Sequence, residues 1–172
     1  MNYFDLFSLA PGFDVDKNAL SACFRQLQSQ YHPDNYAGAG FQEKAIALHK
    51  ASTINDAYQT LLHPERRAQY MLQLHGIDIS NEQQTMQDLD FLMAQMSLRE
   101  ELESLSQSDD PEDAIERFSE KLRKQQHDLE NMFVREYEEK QYTQAADSAR
   151  KMKFYVRLKE QLRALEDNLF EL

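Results

Sequence analysis

The sequence predicts an all-α protein in two parts: an antiparallel helix pair with short flanking helices, followed by a three-helix bundle. Three observations carry this. Glycine stands only at 12, 38, 40 and 76 and proline only at 11, 33, 64 and 111, and none of them interrupts a stretch of good helical periodicity. Valine is scarce, and no alternating apolar–polar stretch of the kind a half-buried strand needs stands out. The apolar residues recur at intervals of three and four, the spacing that lines one side of a helix.

Taken in order, Tyr3–Leu9 reads as a short helix closed by Pro11-Gly12. Asp16 can cap a second helix, whose apolar positions Leu20, Phe24, Leu27 and Tyr31 make one face. Pro33 pushes His32 away from helical dihedrals and ends it. A loop with Gly38 and Gly40 leads to a third helix, from near Phe41, with Ala47, Ala51, Ile54, Tyr58 and Leu61 on its stripe. Two such stripes joined by a short loop pack antiparallel. A fourth helix starts at Pro64, suited to a first helical turn, and ends before Gly76.

Residues 77–87 read as a connector between a first domain, 1–76, and a second, 88–172. Three longer helices are expected there, over Asp88–Gln107, Pro111–Lys140 and Thr143–Phe170. Asp110-Pro111 is a strong start signal, an N-cap followed by proline at the first position, with Glu112 and Asp113 complementing the helix dipole. Ile115, Phe118, Leu122, Leu129 and Met132 make the expected seam of the middle helix. Leu158, Leu162, Leu165 and Leu169 make that of the last.

Composition excludes several classes. The net charge is −11, and it is lopsided: 1–76 holds 6 basic and 7 acidic residues, the remainder 13 and 23. Nucleic-acid binding needs a concentrated basic surface, and none is present. No apolar run approaches the roughly 18 residues of a membrane span. The start MNYFDLF has no basic segment and no long apolar core, so no secretory signal is read there. Cys23 is the single cysteine, expected as a small buried hydrophobe in a reduced compartment. His49, His63, His75 and His127 show no ligand spacing with it or with each other, so no metal and no cofactor is expected. No phosphate-binding glycine loop and no nucleophile beside a base is recognisable, which argues against an enzyme.

The stretch QYHPDNY, residues 30–36, carries the first functional signal. Taken alone, His32-Pro33-Asp34 is a helix stop built from ordinary turn residues. Its surroundings are more specific. NYFDLFSL opens the chain, LQSQYHPDN ends the second helix, and INDAYQTLLHPERRAQY completes the third and opens the fourth. In order and spacing this resembles the J-domain family, whose members dock on seventy-kilodalton heat-shock chaperones and stimulate their ATPase. The resemblance implies that His32, Pro33 and Asp34 form the chaperone contact. Two departures stand out: Asn35 occupies the position where the family usually has lysine, and Lys17 and Arg25 are the only cations of the second helix. Arg25 lies off the apolar stripe and is expected to be exposed, as a chaperone-binding residue. So sparse a charge gives weak general steering and implies a dedicated partner.

The stretch DLDFLMAQMSLREELESL, residues 88–105, carries the second signal. At roughly 100° per residue, Phe91, Leu98, Leu102 and Leu105 fall in one arc, and Leu89, Leu92, Met93 and Met96 fall opposite, with Glu100 further along that side. One apolar stripe suffices in a bundle. The second is either a wide core face or a binding face, and methionines adapt well to a partner.

With LHGIDI at the joint and FLMAQMSLREEL beyond it, the acidic remainder is similar to the HscB family, J-type co-chaperones of iron–sulfur cluster assembly. That likeness implies two partners, the specialised chaperone HscA and the scaffold protein IscU. It also implies that Leu92, Met93, Met96, Glu100 and Phe154 hold the scaffold, although Phe154 aligns equally with the Leu158/Leu162 seam. A cytoplasmic, non-enzymatic adaptor is the expectation. The alternatives are a J-domain adaptor for another client, or a helical interaction module with an incidental His-Pro-Asp.

Overall fold

A computed structural model describes residues 1–80 and 88–171, and every element in it is helical. The chain divides into two compact units, Met1–Leu74 and His75–Leu172.

The first unit contains α1 (Tyr3–Leu6), α2 (Lys17–Gln30), a 3₁₀ turn (Pro33–Tyr36), α3 (Phe41–Leu62) and α4 (Pro64–Gln73). α1 is one turn shorter than its sequence pattern because Ser8 adopts a left-handed conformation, φ 54°, just after it. Asp16 caps α2, its Oδ1 accepting from the N–H groups of Asn18 at 3.0 Å and Ala19 at 3.1 Å. α2 and α3 lie antiparallel. Phe24 stacks on Tyr58 with ring centroids 4.0 Å apart, while Tyr31, which caps the end of α2, meets Lys50, earlier on α3. Phe4, Phe7, Leu20, Ile54, Ala57, Leu61, Ala68, Met71 and Leu72 form the core. Tyr3 stacks on Tyr70 at 4.5 Å and donates its N–H to the Tyr70 hydroxyl at 2.9 Å, which ties the start of the chain to α4. Arg67 is buried too. It satisfies part of its guanidinium by donating to the Leu61 carbonyl at 2.6 Å, at the α3–α4 corner, and lies over the Phe13 ring. Cys23 is only half-buried, because the α2 stripe faces α3 through Leu20, Phe24 and Leu27.

The second unit contains α5 (Leu89–Ser104), a 3₁₀ turn (Leu105–Gln107), α6 (Pro111–Glu138) and α7 (Tyr142–Phe170). Most of the expected connector falls on 81–87, outside the described residues. What precedes it packs onto the bundle: Ile79 is buried, and His75 stacks on Tyr142 and meets Tyr137 edge-on. Asp110 caps α6 by accepting from the Asp113 N–H, with Pro111 at the first position. α6 and α7 are joined by a tight turn in which Lys140 takes φ 62°. Ala145, Ala146 and Ala149 are buried and let the two backbones approach; Phe118, Leu122, Phe133, Met152 and Leu158 fill the rest. The α6 seam passes through Phe133 and not Met132, which is exposed. On α7 the expected seam fades toward the end: Leu165 is half-buried and Leu169 is exposed.

Candidate functional site

Two exposed surfaces stand out, one in each unit. The first is the turn after α2. Ahead of Pro33, His32 is extended, with φ −64° and ψ 138°, and acts as the cap of the 3₁₀ turn. Its Nδ1 accepts the Asp34 backbone N–H at 3.2 Å. An accepting Nδ1 puts the proton of the neutral imidazole on Nε2, the nitrogen turned away from that bond. The Asp34 carboxylate lies 3.5 Å from Nδ1, and the two side chains are 52 % and 90 % exposed. The turn is closed by Asn35, whose N–H donates to the His32 carbonyl at 3.0 Å. Its side-chain amide donates to the carbonyls of Ser29 at 2.7 Å and Gln30 at 3.3 Å. Those are carbonyls of the last turn of α2, which no N–H four residues on completes; the Ser29 carbonyl also accepts the His32 N–H at 3.5 Å. The structure therefore holds His32, Pro33 and Asp34 at the surface, with donor and acceptor groups unspent. Arg25 is exposed on α2, five residues before the end of that helix.

Beside this turn lies a surface that periodicity did not reveal. Phe41, Ile46 and Leu48 of α3 are all well exposed. A groove of about 340 Å³ runs among Tyr31, Pro33, Tyr36, Ala37, Lys44, Ala47 and Leu48. The signal was in the sequence: all three apolar residues lie outside the Ala47/Ile54/Leu61 stripe.

The second surface is the outer side of α5. Asp88 caps this helix, its Oδ1 accepting from the Phe91 N–H at 3.0 Å while Oδ2 pairs with Lys151 at 3.0 Å. The hydrogen bond from Phe91 and the lysine charge hold the Asp88 carboxyl below the usual range. Lys151 also lies over the Phe91 ring, and Glu101 pairs with Lys121 of α6 at 2.8 Å. The helix is thus fixed at both ends of its inner side. Phe91, Leu98, Leu102 and Leu105 are buried there. Opposite them, Leu89, Leu92, Met93 and Met96 are 71 %, 38 %, 66 % and 63 % exposed. Glu100 is exposed further along, with Asp90 and Glu103 nearby in sequence.

Phe154 does not join this surface. It is 6 % exposed, its ring meeting Phe91 edge-on at 5.6 Å beneath α5, with the Arg99 guanidinium 5.6 Å from its centroid. The reason is the α7 wheel: Phe154 shares the face of Leu158 and Leu162, and that face is core.

Among the described residues no group of three or more His, Cys, Asp or Glu could hold a metal ion, and no helix is long and apolar enough to cross a membrane.

Residues 2–70 match the DnaJ domain family, and residues 87–163 match the family described as the HSCB C-terminal oligomerisation domain. The chain is 47 % identical over 169 residues to a protein of Vibrio atlanticus named co-chaperone protein HscB homolog, covering 98 % of this chain and 99 % of that one. It superposes on the chaperone HscB of Vibrio cholerae with a TM-score of 0.90 at 43 % identity, over 99 % of this chain and 100 % of the other. The human co-chaperone protein HscB gives 0.87 at 27 % identity, over 96 % and 82 %.

Proposed function

The chain belongs to the HscB family of J-domain co-chaperones, and from that premise we propose two finer roles for it. It is a co-chaperone and not an enzyme. Its J-domain, residues 1–76, stimulates the ATPase of the seventy-kilodalton-type chaperone HscA. Its bundle, residues 88–172, joined through 77–87, delivers the iron–sulfur scaffold protein IscU to that chaperone in the cytoplasm.

The observation that carries this reading is an outward apolar face on α5 in the same chain as an exposed His-Pro-Asp turn. Asp34 can accept charge-assisted hydrogen bonds from a partner arginine, and His32 can donate from Nε2. Neither acts on ATP. They bias a two-state chaperone toward its hydrolysing form, which requires only a difference in affinity between the states. Leu92, Met93 and Met96 supply adaptable apolar contact for the scaffold, and Glu100 selects a basic edge on it. Phe154 acts from below, by supporting α5. Tethering client and J-domain on one chain raises the local concentration of client at the chaperone.

The test is a chaperone ATPase assay with the scaffold added. Stimulation should vanish with His32→Gln while scaffold binding persists. Stimulation unchanged by that substitution would refute the chaperone role. A second occupant of the α5 face is favoured by the description of the C-terminal family as an oligomerisation domain: another copy of the chain. The acidic balance of residues 77–172, 13 basic against 23 acidic, works against pairing two such faces. Sedimentation of the protein alone and with scaffold separates the two occupants.

A further inference from the structure

Among the described residues, the methionines divide sharply by environment. Met71 and Met152 are sealed in the cores, at 3 % and 0 % exposure. Met93 and Met96 stand open on α5, three residues apart, which puts both thioethers on one side of the helix within a turn of each other. Met132 is also exposed, on α6, and so is Met1, which precedes α1.

The geometry points to Met93 and Met96 as oxidation sites that switch the α5 face off. This rests on the reading of that face as the scaffold-binding surface. The co-reactant is a peroxide. A lone pair of the thioether sulfur attacks one peroxide oxygen, the O–O bond breaks and an S–O bond forms. The departing oxygen leaves as water with both peroxide hydrogens. Sulfur is oxidised by two electrons and the peroxide is reduced by two. The product exchanges an apolar, polarisable atom for a strongly polar sulfoxide at the centre of the contact. A sulfoxide oxygen pressed against an apolar partner without a donor weakens binding by about tenfold, on the scale of burying an unpaired polar group. Because both side chains are exposed in the free protein, oxidation leaves the bundle folded. The change is reversible, since sulfoxide reductases restore the thioether.

The test uses the full chain in a Cys23→Ser background, which removes the thiol as a competing target. The protein is treated with hydrogen peroxide, the sulfoxides are located by mass spectrometry, and binding to purified IscU and Tm are measured. The expected result is sulfoxide at Met93 and Met96 and none at Met71 or Met152, with affinity down about tenfold or more and Tm unchanged. Whatever its own affinity, Met93→Leu/Met96→Leu should bind scaffold equally before and after peroxide, whereas Met132→Leu should remain sensitive. Equal binding before and after oxidation would overturn the switch and leave the scaffold reading intact. So would an equal loss in the Met93→Leu/Met96→Leu protein, or a fall in Tm that accounts for the loss. If untreated protein fails to bind IscU, the scaffold reading falls, and the switch with it.

Discussion

The side-chain amide of Asn35 reaches back to donate to the carbonyl of Ser29 at 2.7 Å, so that the residue after His-Pro-Asp closes the end of the helix before it. One side chain thereby fixes both the last turn of α2 and the turn that follows. Asn35→Ala frees that clip. Maximal chaperone stimulation should fall severalfold, while the concentration giving half-stimulation changes less and helix content by circular dichroism stays the same. Asn35→Asp should be worse than alanine, because a carboxylate there faces two carbonyl oxygens and can donate to neither. Full activity in both variants would show that the turn holds without the clip.

Arg25 offers a second test. It is exposed, and Lys17 is the only other cation of α2. Arg25→Glu should reduce affinity for the chaperone, chiefly through slower association that is more pronounced at low salt. Its Tm should stay near that of the parent. Unchanged kinetics of association at low ionic strength would remove Arg25 from the interface.

The outer and inner sides of α5 should answer oppositely to truncation. Replacing Leu92, Met93 and Met96 together with alanine should abolish scaffold binding in a calorimetric titration and leave the denaturant midpoint nearly unmoved. Phe154→Ala should cost about 3–5 kcal/mol of stability, as for other large core truncations. Any loss of binding in that variant should track the loosening of α5. A large stability loss in the triple variant would mean that the outer residues are core.

Acid should act through Asp88. Its carboxyl is held below the usual range, first by the Phe91 N–H and then by Lys151, so the folded state binds that proton less readily than the unfolded chain. The stabilisation is therefore complete at neutral pH and fades as pH falls through and below about 4, the ordinary aspartate range. Asp88→Asn keeps a capping oxygen but loses the ion pair. Its Tm should lie below that of the parent at pH 7, and the two should converge in acid. A gap that persists at low pH would assign the effect to packing.

Much of this was legible in the sequence wherever local chemistry decides the outcome. Asp16 and Asp110 announce their helices because a short acceptor beside unpaired N–H groups is a local device. The two sides of α5 follow from helical geometry alone. Legibility failed where two apolar residues compete for one place. Met132 and Phe133 are adjacent, and a seam drawn at three residues past Leu129 takes the first while the structure buries the second. Over a 28-residue helix the true period drifts from any fixed spacing, and only the partner helix settles which ring goes in. Phe154 failed for a related reason. Its wheel position fits both the seam and the turn above it, and the Phe91 ring it meets comes from another helix. The exposed Phe41, Ile46 and Leu48 lie outside the α3 stripe, and a buried stripe says nothing of what remains outside it.

The opposed sides of α5 make this helix easy to retarget. The residues that anchor it, from Asp88 and Phe91 to Leu105, lie on its inner side, whereas Leu89, Met93 and Met96 stand open on the other. Selection can rewrite the open positions one at a time without endangering the fold that displays them.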